Sequence, residues 1–282
     1  MSKPARLALL LAATAVIAGC EKDYTAYALT STGSLIQFST KNPASISSSV
    51  NVTISNAVVS GDTVVRMAAQ PGTNTLYCIT ADGYLCTLDT SGTATLVGTV
   101  PFTENLDKGS NSVKLANPAI SFDPVGGDLR VISTGYNLLV DLSGDPATAE
   151  TPVGYDSSDT NNSQTPAIGG IAYQNPVAGA GSTTLYALDA TTGSLVRLGD
   201  ANVSNPDSQN TGDLHTIGPL NASLSASSTG FAIGPSDGTG YASLQNGSGP
   251  ILYTVDLGAG SVTNLGAIGD GTLSITSLVI NP

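Results

Sequence analysis

Residues 119–133 read AISFDPVGGDLRVIS, which is a short apolar strand, an Asp-Pro turn and a second apolar strand. Pro124 stands where the first strand must end, because proline cannot donate a hydrogen bond to a β-ladder. The glycines behind it favour a tight return of the chain. The same order of strand, proline, turn and strand recurs along the sequence, so this stretch is one unit of a repeat.

The repeat is marked by five prolines that each follow an apolar strand of small residues, at positions 71, 124, 176, 235 and 282. After most of them come a second strand such as TLYCIT or DLRVIS, a third such as YLCTLD or NLLVDL, and a weaker fourth. Four strands in units of about 40–50 residues are typical of a β-propeller. We therefore predict an all-β chain, and we find no long segment with helical periodicity after residue 20.

The two ends of the chain complete each other. The last unit, LSITSLVINP at 273–282, has no strands after it, whereas residues 26–54 read as second, third and fourth strands without a first. Pairing the C-terminal strand with the N-terminal unit closes the ring and removes an open sheet edge. A two-sheet sandwich, the alternative, does not explain the fixed strand order. The predicted blades are 26–54 with 273–282, 64–100, 117–153, 167–220 and 228–268.

The N-terminus reads as a lipoprotein signal peptide. MSKPARLALLLAATAVIAGC has a basic start, an apolar run and small residues before Cys20. VIAGC resembles the lipobox of bacterial lipoproteins, which implies cleavage before Cys20 and lipid attachment to its sulfur. An ordinary cleaved signal and an uncleaved membrane anchor are the alternatives. We predict a signal at 1–19, a tether at 20–25 and one propeller at 26–282, exported and anchored at the outer membrane, as Glu21 favours.

Composition excludes some partners. The 282 residues carry 9 Lys and Arg against 21 Asp and Glu, a net charge of −12. Cleavage at the predicted site removes Lys3 and Arg6, which makes the charge −14. Such a chain is repelled by nucleic acid and by anionic lipid headgroups. We therefore expect no nucleic-acid partner, and membrane contact through the lipid anchor alone.

Two cysteines of the mature chain lie in LYCITADGYLCTLD. A three-residue hairpin loop at 81–83, with Gly83 in the left-handed region, places Cys78 opposite Cys86. Opposed residues of a ladder are close enough for a disulfide, and an exported chain meets an oxidising compartment. We predict this disulfide; two buried free thiols are the alternative.

Carboxylates are the best candidates for chemistry in the channel of a propeller, because glycosidases need two of them. Asp123 is the only acid at the proline end of a predicted innermost strand, and the corresponding positions hold Gln70, Asn175, Gly234 and Asn281. One acid cannot serve as both acid and base. We interpret Asp123 as a cap of its turn, and these positions as a possible channel or ligand site.

Neither a triad nor a strong metal motif is present. His215, the only histidine, lies on a predicted outer strand without a partner, which does not favour a general base. We expect no cofactor. The weak candidates for a Ca²⁺ site are oxygen-bearing side chains of the segment 155–166, where a solvated loop is the alternative: Asp156, Asp159, Asn161 and Asn162.

The sequence also resembles a known family, the domain of unknown function numbered 4394. The resemblance rests on YALTSTGSLIQFSTKNP, SFDPVGGDLRVISTGYNLLVDL and AIGGIAYQNP with their order, and it runs from about residue 26 to 280. It implies a secreted or surface bacterial protein with a propeller-like fold and no established activity. The family pattern carries an Arg after the third-unit motif GQNL, where this chain has Leu139; Arg130 and Asn137 match.

Three functions are consistent with the sequence. The first, which we favour, is a lipid-anchored, non-catalytic binding or scaffold module that acts as a monomer on an unknown protein or carbohydrate ligand. The second is a carbohydrate-active or lactonase-like hydrolase that uses channel carboxylates. The third is a structural component of the cell surface or matrix. Two acids that converge in the channel would favour the hydrolase.

Overall fold

The computed structural model of the chain describes residues 22–73, 75–106, 113–204 and 207–281. The predicted signal peptide and Cys20 lie outside these residues, as does Pro282. The elements in chain order are β1 (Thr25–Thr30), β2 (Ser34–Ser39), β3 (Asn42–Asn51), β4 (Thr53–Ile54), β5 (Val64–Ala69), β6 (Leu76–Thr80), β7 (Leu85–Leu88), β8 (Thr93–Leu96), β9 (Ala119–Phe122), β10 (Leu129–Ser133), β11 (Tyr136–Val140), β12 (Thr148–Glu150), β13 (Gly154–Tyr155), β14 (Ile168–Tyr173), β15 (Thr183–Asp189), β16 (Ser194–Val203), α1 (Asp207–Asn210), β17 (Asp213–Pro219), β18 (Thr229–Ile233), β19 (Gly240–Asn246), β20 (Gly249–Val255), β21 (Val262–Ala267) and β22 (Ile275–Asn281).

The strands form five antiparallel sheets of four strands, and each sheet is one blade of a β-propeller. Listed from the axis outwards, the blades are β22-β1-β2-β3, β5-β6-β7-β8, β9-β10-β11-β12, β14-β15-β16-β17 and β18-β19-β20-β21. The five innermost strands contact one another in a closed ring, in the order β22, β5, β9, β14 and β18. The predicted fold class and blade number are confirmed.

The ring closes as the sequence predicts. β22 pairs antiparallel with β1, with Thr25 opposite Asn281 and Ala28 opposite Leu278. The C-terminal strand is thus the innermost strand of the first blade. Its side chains are buried from Ile275 to Ile280, because they pack on the second and fifth blades as well as on their own.

Two short strands extend the blades beyond the predicted pattern. Thr53 and Ile54, which the sequence assigns to the first blade, pair in parallel with Thr93 and Ala94 on the outer strand of the second blade. β13 does the same for the fourth blade, where Gly154 lies opposite Asp213. In both places the chain leaves one blade along the outer edge of the next. The strap covers an edge that would otherwise present unpaired backbone groups.

Apolar side chains fill the space between neighbouring blades, and glycines let the innermost strands approach each other closely. Between the first two blades, Leu29 and Val279 pack with Met67. Elsewhere in the ring, a Cβ atom at Gly230 would lie 2.7 Å from the Cβ of Leu278. Since real Cβ atoms do not approach so closely, a side chain there would push two blades apart.

The predicted hairpin of the second blade is confirmed. The N–H of Thr80 donates to the carbonyl oxygen of Tyr84 at 3.0 Å, and Gly83 adopts a φ of +85°. Cys78 lies opposite Cys86 with a Cα–Cα distance of 4.8 Å, and the two form a disulfide. Both are fully buried, so the bond lies inside the core between the first two blades.

Candidate functional site

The axial channel widens into a cavity of about 330 Å³ at the end where the innermost strands finish. All five blades contribute apolar side chains to it: Met67, Ile120, Tyr173, Phe231 and Leu278. The polar side chains of the lining are Gln70, Ser121, Tyr173, Ser236 and Asn281, and no Asp or Glu of the described residues is among them. We call this space the mouth cavity.

The rim of the mouth cavity is built by the turns that carry the repeated prolines. The residue after each innermost strand closes the turn that follows, by donating its backbone N–H across the hairpin. Four such residues make this bond, at 2.8–2.9 Å: Gln70, Asp123, Gln174 and Gly234. In the fourth blade the structural counterpart is therefore Gln174, one residue before the predicted Asn175. Asn175 lies further along the turn, exposed and with a φ of +54°.

The structure brings two of the predicted channel residues together and leaves two outside. Gln70 and Asn281 line the mouth cavity, whereas Asp123 and Asn175 do not. The Oε1 atom of Gln70 accepts a hydrogen bond from the Thr73 hydroxyl at 2.9 Å. The Oδ1 atom of Asn281 is buried and accepts none within the described part of the chain. This oxygen lies beneath the surface of the cavity wall and not on it.

Asp123 is a structural residue of its turn. It is 2% exposed, and its Oδ1 atom accepts the backbone N–H groups of Val125 at 2.8 Å and Gly126 at 3.1 Å. This is the cap that the Asp-Pro sequence predicts. Burial raises the pKa of the nearby Asp128, and the charges of Asp141 and Asp123 raise it further. These three acids belong to the third blade and none of them lines the mouth cavity.

The chain's first described residues lie at the rim of the mouth cavity. The Nζ atom of Lys22 donates to the Ser236 hydroxyl at 2.6 Å. The same ammonium group lies 5.0 Å from the centre of the Tyr24 ring, and the Tyr24 hydroxyl accepts the N–H of Ser236 at 3.3 Å. The N-terminal segment therefore leaves the propeller beside the cavity opening.

The opposite end of the channel holds a residue that sequence reasoning missed. Arg66, on the innermost strand β5, is 5% exposed. Burial lowers the pKa of its guanidinium to about 10, so the group stays charged at neutral pH. The sequence feature that could have indicated Arg66 is an arginine in the otherwise apolar strand VVRMAA. This feature is informative only when the strand is known to be the innermost of its blade.

A second buried arginine ties the third and fourth blades together. Arg130 is fully buried, and its guanidinium donates hydrogen bonds of 2.7–2.8 Å to Tyr173, Asn137 and Asn210. The amide of Asn137 donates in turn to the carbonyl oxygens of Thr151 and Gln209, both at 3.1 Å. Arg130 and Asn137 are the two residues that match the family pattern in the third unit, and here they form one network.

The sequence pattern of the family described as "Domain of unknown function (DUF4394)" matches residues 34–278. The chain belongs to the DUF4394 family. No curated protein matches it in sequence. The family membership agrees with the predicted resemblance and leaves the activity of this DUF4394 chain open.

Solved structures show what the DUF4394 chain resembles in fold. A protein of unknown function from Bacteroides thetaiotaomicron superposes with a TM-score of 0.50 at 14% identity, over 88% of this chain. The DUF4394 chain spans 58% of that protein. The calcium-binding protein regucalcin from Agrobacterium tumefaciens gives 0.43 at 14% identity, with 84% and 71% of the two chains covered. A luciferin-regenerating enzyme gives 0.44 at 10%, with 83% and 68% covered. At these identities the first likeness indicates the fold alone.

The predicted Ca²⁺ candidates of the DUF4394 chain fasten a loop to the fourth blade. Asp159 accepts the backbone N–H of Thr216 at 2.6 Å and the hydroxyl of Thr216 at 2.8 Å. Asn161 donates to the same hydroxyl at 2.9 Å, and Asp156 accepts the N–H and hydroxyl of Ser158. Their polar atoms thus contact protein groups. Among the described residues, no three His, Cys, Asp or Glu side chains gather at one point.

His215 lies on β17, the fourth strand from the axis in its blade, as predicted. It is opposite Arg197 in the ladder. The charge of His215 helps to lower the pKa of Asp156 and Asp159 as a minor cause. A side chain four strands from the channel cannot act on a ligand held there.

Proposed function

We propose that this DUF4394 chain is an exported, lipid-anchored propeller that binds an uncharged amphiphilic ligand in its mouth cavity without transforming it. Carbohydrate with an apolar substituent is the ligand chemistry that fits best. The protein acts as a monomer, without a cofactor and without nucleic acid, at the periplasmic or outer face of the outer membrane. This proposal follows the binding role that the sequence favours.

The chemistry of the mouth cavity carries the proposal. Its volume of about 330 Å³ lies in the range of small-molecule sites, which are mostly apolar with a few placed polar groups. The amide of Gln70 and the hydroxyl of Ser236 in the lining suit a hydroxyl-bearing ligand. Because no Asp or Glu of the described residues lines the cavity, a cationic ligand finds no counter-charge among them, and they do not supply the acid–base pair of a glycosidase.

The position of the N-terminal segment supports membrane anchoring at this face. Lys22, which contacts Ser236 on the rim, is two residues from Cys20. Two residues of extended chain span about 7 Å. Lipid attached to Cys20 would therefore hold the mouth cavity close to the bilayer surface, where amphiphilic ligands concentrate.

Binding can be tested with n-octyl β-D-glucoside, which has an apolar tail and sugar hydroxyls. Calorimetric titration below the micelle concentration should show one saturable site. Ala69→Phe, which places a ring in the mouth cavity, should weaken binding about tenfold or more. The matched control is Ala190→Phe, at a half-buried turn position outside the cavity, and it should bind as wild type does.

Equal binding by both variants would place the ligand elsewhere. Turnover of lactones or aryl glycosides that the Ala69→Phe variant loses would favour the hydrolase instead. Circular dichroism of each variant checks that the fold is intact, so that lost binding reports on the cavity.

A further inference from the structure

Arg66 extends into the axial channel at the end opposite the mouth cavity. The strand β5 carries a bulge at Val65, where one extra residue separates the pairs of Val64 with Thr80 and Arg66 with Ile79. Bulges re-aim the side chains next to them. The Nη2 atom of Arg66 lies 3.4 Å from the carbonyl oxygen of Ala226, in the segment before the fifth blade. The side chain thus reaches across the channel from the second blade.

The guanidinium of Arg66 is poorly satisfied. Its Nη1 atom donates to the carbonyl oxygen of Val65 at 3.0 Å, and its Nε atom is buried with no acceptor. No carboxylate of the described residues forms an ion pair with Arg66. The ion pair that occurs among the described residues joins Lys114 to Asp82. Both acceptors of Arg66 are neutral, so its positive charge is left uncompensated inside the protein.

The contrast with Arg130 shows that this is unusual for the chain. Arg130 is also buried, but three side chains satisfy its guanidinium on every edge. An isolated buried charge is costly unless a counter-charge or a full set of hydrogen bonds accompanies it. In a chain with a net charge of −12, a buried cation without an acidic neighbour points to a counter-ion from solution.

A small, half-open space lies against Arg66. Its volume of about 20 Å³ exceeds the 10–15 Å³ or so that one water-sized particle needs. Three glycines let the backbone line it: Gly169, Gly170 and Gly230. Gly169 lies at a bulge of β14, at the same end of the channel as the bulge of β5.

The neighbouring innermost strand β22 offers a further donor. Ser277 lines the same space, and its Oγ atom accepts the backbone N–H of Met67 at 3.1 Å. That bond uses a lone pair of the hydroxyl and leaves its hydrogen free to donate. The neighbouring Thr276 donates its hydroxyl to the carbonyl oxygen of Leu29 at 3.2 Å, so its hydrogen is engaged.

We propose that this space is a halide site, in which the Arg66 guanidinium and the Ser277 hydroxyl bind one chloride ion. A monatomic anion fits the volume, compensates the charge and accepts from the guanidinium hydrogens that the bonds to Val65 and Ala226 leave free. A water molecule fits the volume as well but leaves the charge uncompensated. The site is separate from the mouth cavity and does not depend on the ligand proposed for it.

Thermal unfolding of the purified protein tests the site. Sodium chloride is compared with sodium gluconate at equal ionic strength, because gluconate is far larger than the space. The melting temperature should rise in chloride by on the order of 5 °C at saturation, with bromide acting similarly. Arg66→Met should abolish this difference and should melt no lower than wild type in gluconate. Arg197→Met, which removes a half-buried cation of an outer strand, should keep the full difference.

Crystals soaked in bromide give a second readout that needs no variant. An anomalous peak against the Arg66 guanidinium is expected. Density there without anomalous signal would mean water and would overturn the proposal. A melting temperature of wild type that is the same in chloride and gluconate would overturn it as well, and so would an equal chloride effect in Arg66→Met.

Discussion

Removing the strand that closes the ring should unfold the protein. Deletion of residues 273–282 takes away β22, in which Ile275, Leu278, Val279 and Ile280 are 0–6% exposed. At about 1.5–3 kcal/mol for each buried side chain, the loss is about 6–12 kcal/mol. A typical domain is stable by only about 5–15 kcal/mol. The deletion also leaves β1 with a free edge, which favours aggregation.

A graded pair of variants measures the same strand without removing it. Val279→Ala deletes two methyl groups from a side chain that is 4% exposed, whereas Val58→Ala makes the same change at one that is 52% exposed. The first should cost about 1.5–3 kcal/mol, which lowers the melting temperature by about 3–12 °C in a domain of this size. The second should change it by less than about 1 °C.

The assays are size-exclusion chromatography and a circular-dichroism melt. We expect the truncated protein to elute as aggregate or to lack a cooperative transition. If it stays monomeric and melts at the wild-type temperature, the closing strand contributes nothing and the reasoning is refuted. Equal melting temperatures of Val279→Ala and Val58→Ala would refute it too.

Three further predictions concern the lipid anchor, the disulfide and the effect of acid on the loop at 155–166. Cys20→Ala should abolish partitioning into the detergent phase, because the described residues contain no helix that could span a membrane; a mutant that stays in that phase contradicts lipidation. Peptide mapping without reductant should find Cys78 joined to Cys86. Replacing both cysteines by Ala should lower the free energy of unfolding by at most about 2–3 kcal/mol, since the loop that the disulfide closes is short. If both thiols alkylate without reductant, the bond is excluded. Burial disfavours the charged form of Asp159. The N–H groups that donate to its carboxylate, led by that of Thr216, outweigh burial and lower the pKa of Asp159. The stability that this carboxylate contributes is therefore present above about pH 4 and is lost as the pH falls further. Protection factors of the amides in residues 155–166, each taken relative to the intrinsic exchange rate at the same pH, should therefore be lower at pH 3 than at pH 6 in wild type and should be the same at both in Asp159→Asn.

The blade number and the ring closure could be predicted because they are written in local sequence. Each unit repeats an apolar strand before a proline. The N-terminal unit lacks this first strand, and the C-terminal strand is the one strand that has no unit of its own. The disulfide was predictable for a similar reason, since a three-residue loop fixes the register that places Cys78 opposite Cys86. The strands and the disulfide depend on neighbours in the chain, whereas the ring closure follows from counting the strands of each unit.

What could not be predicted depends on contacts between distant segments. The bond from Lys22 to Ser236 joins residues 214 apart, and no pattern in either segment announces it. Asn175 was placed at the rim because it precedes a proline, but the turn of the fourth blade is longer and its closing bond falls on Gln174. The position of Arg66 in the channel follows only from the other four blades, which surround it.

The pairing of β22 with β1 has a consequence for biosynthesis. Thr276 and Leu29, which meet in this blade, are 247 residues apart. At about 5–20 residues per second, a ribosome needs about 10–50 s to make that interval. Throughout this time the hairpins of the middle blades have their partners, whereas β1 has β2 but lacks its inner neighbour. The nascent chain cannot reach its native topology before β22 emerges, so until then it remains open to capture by chaperones.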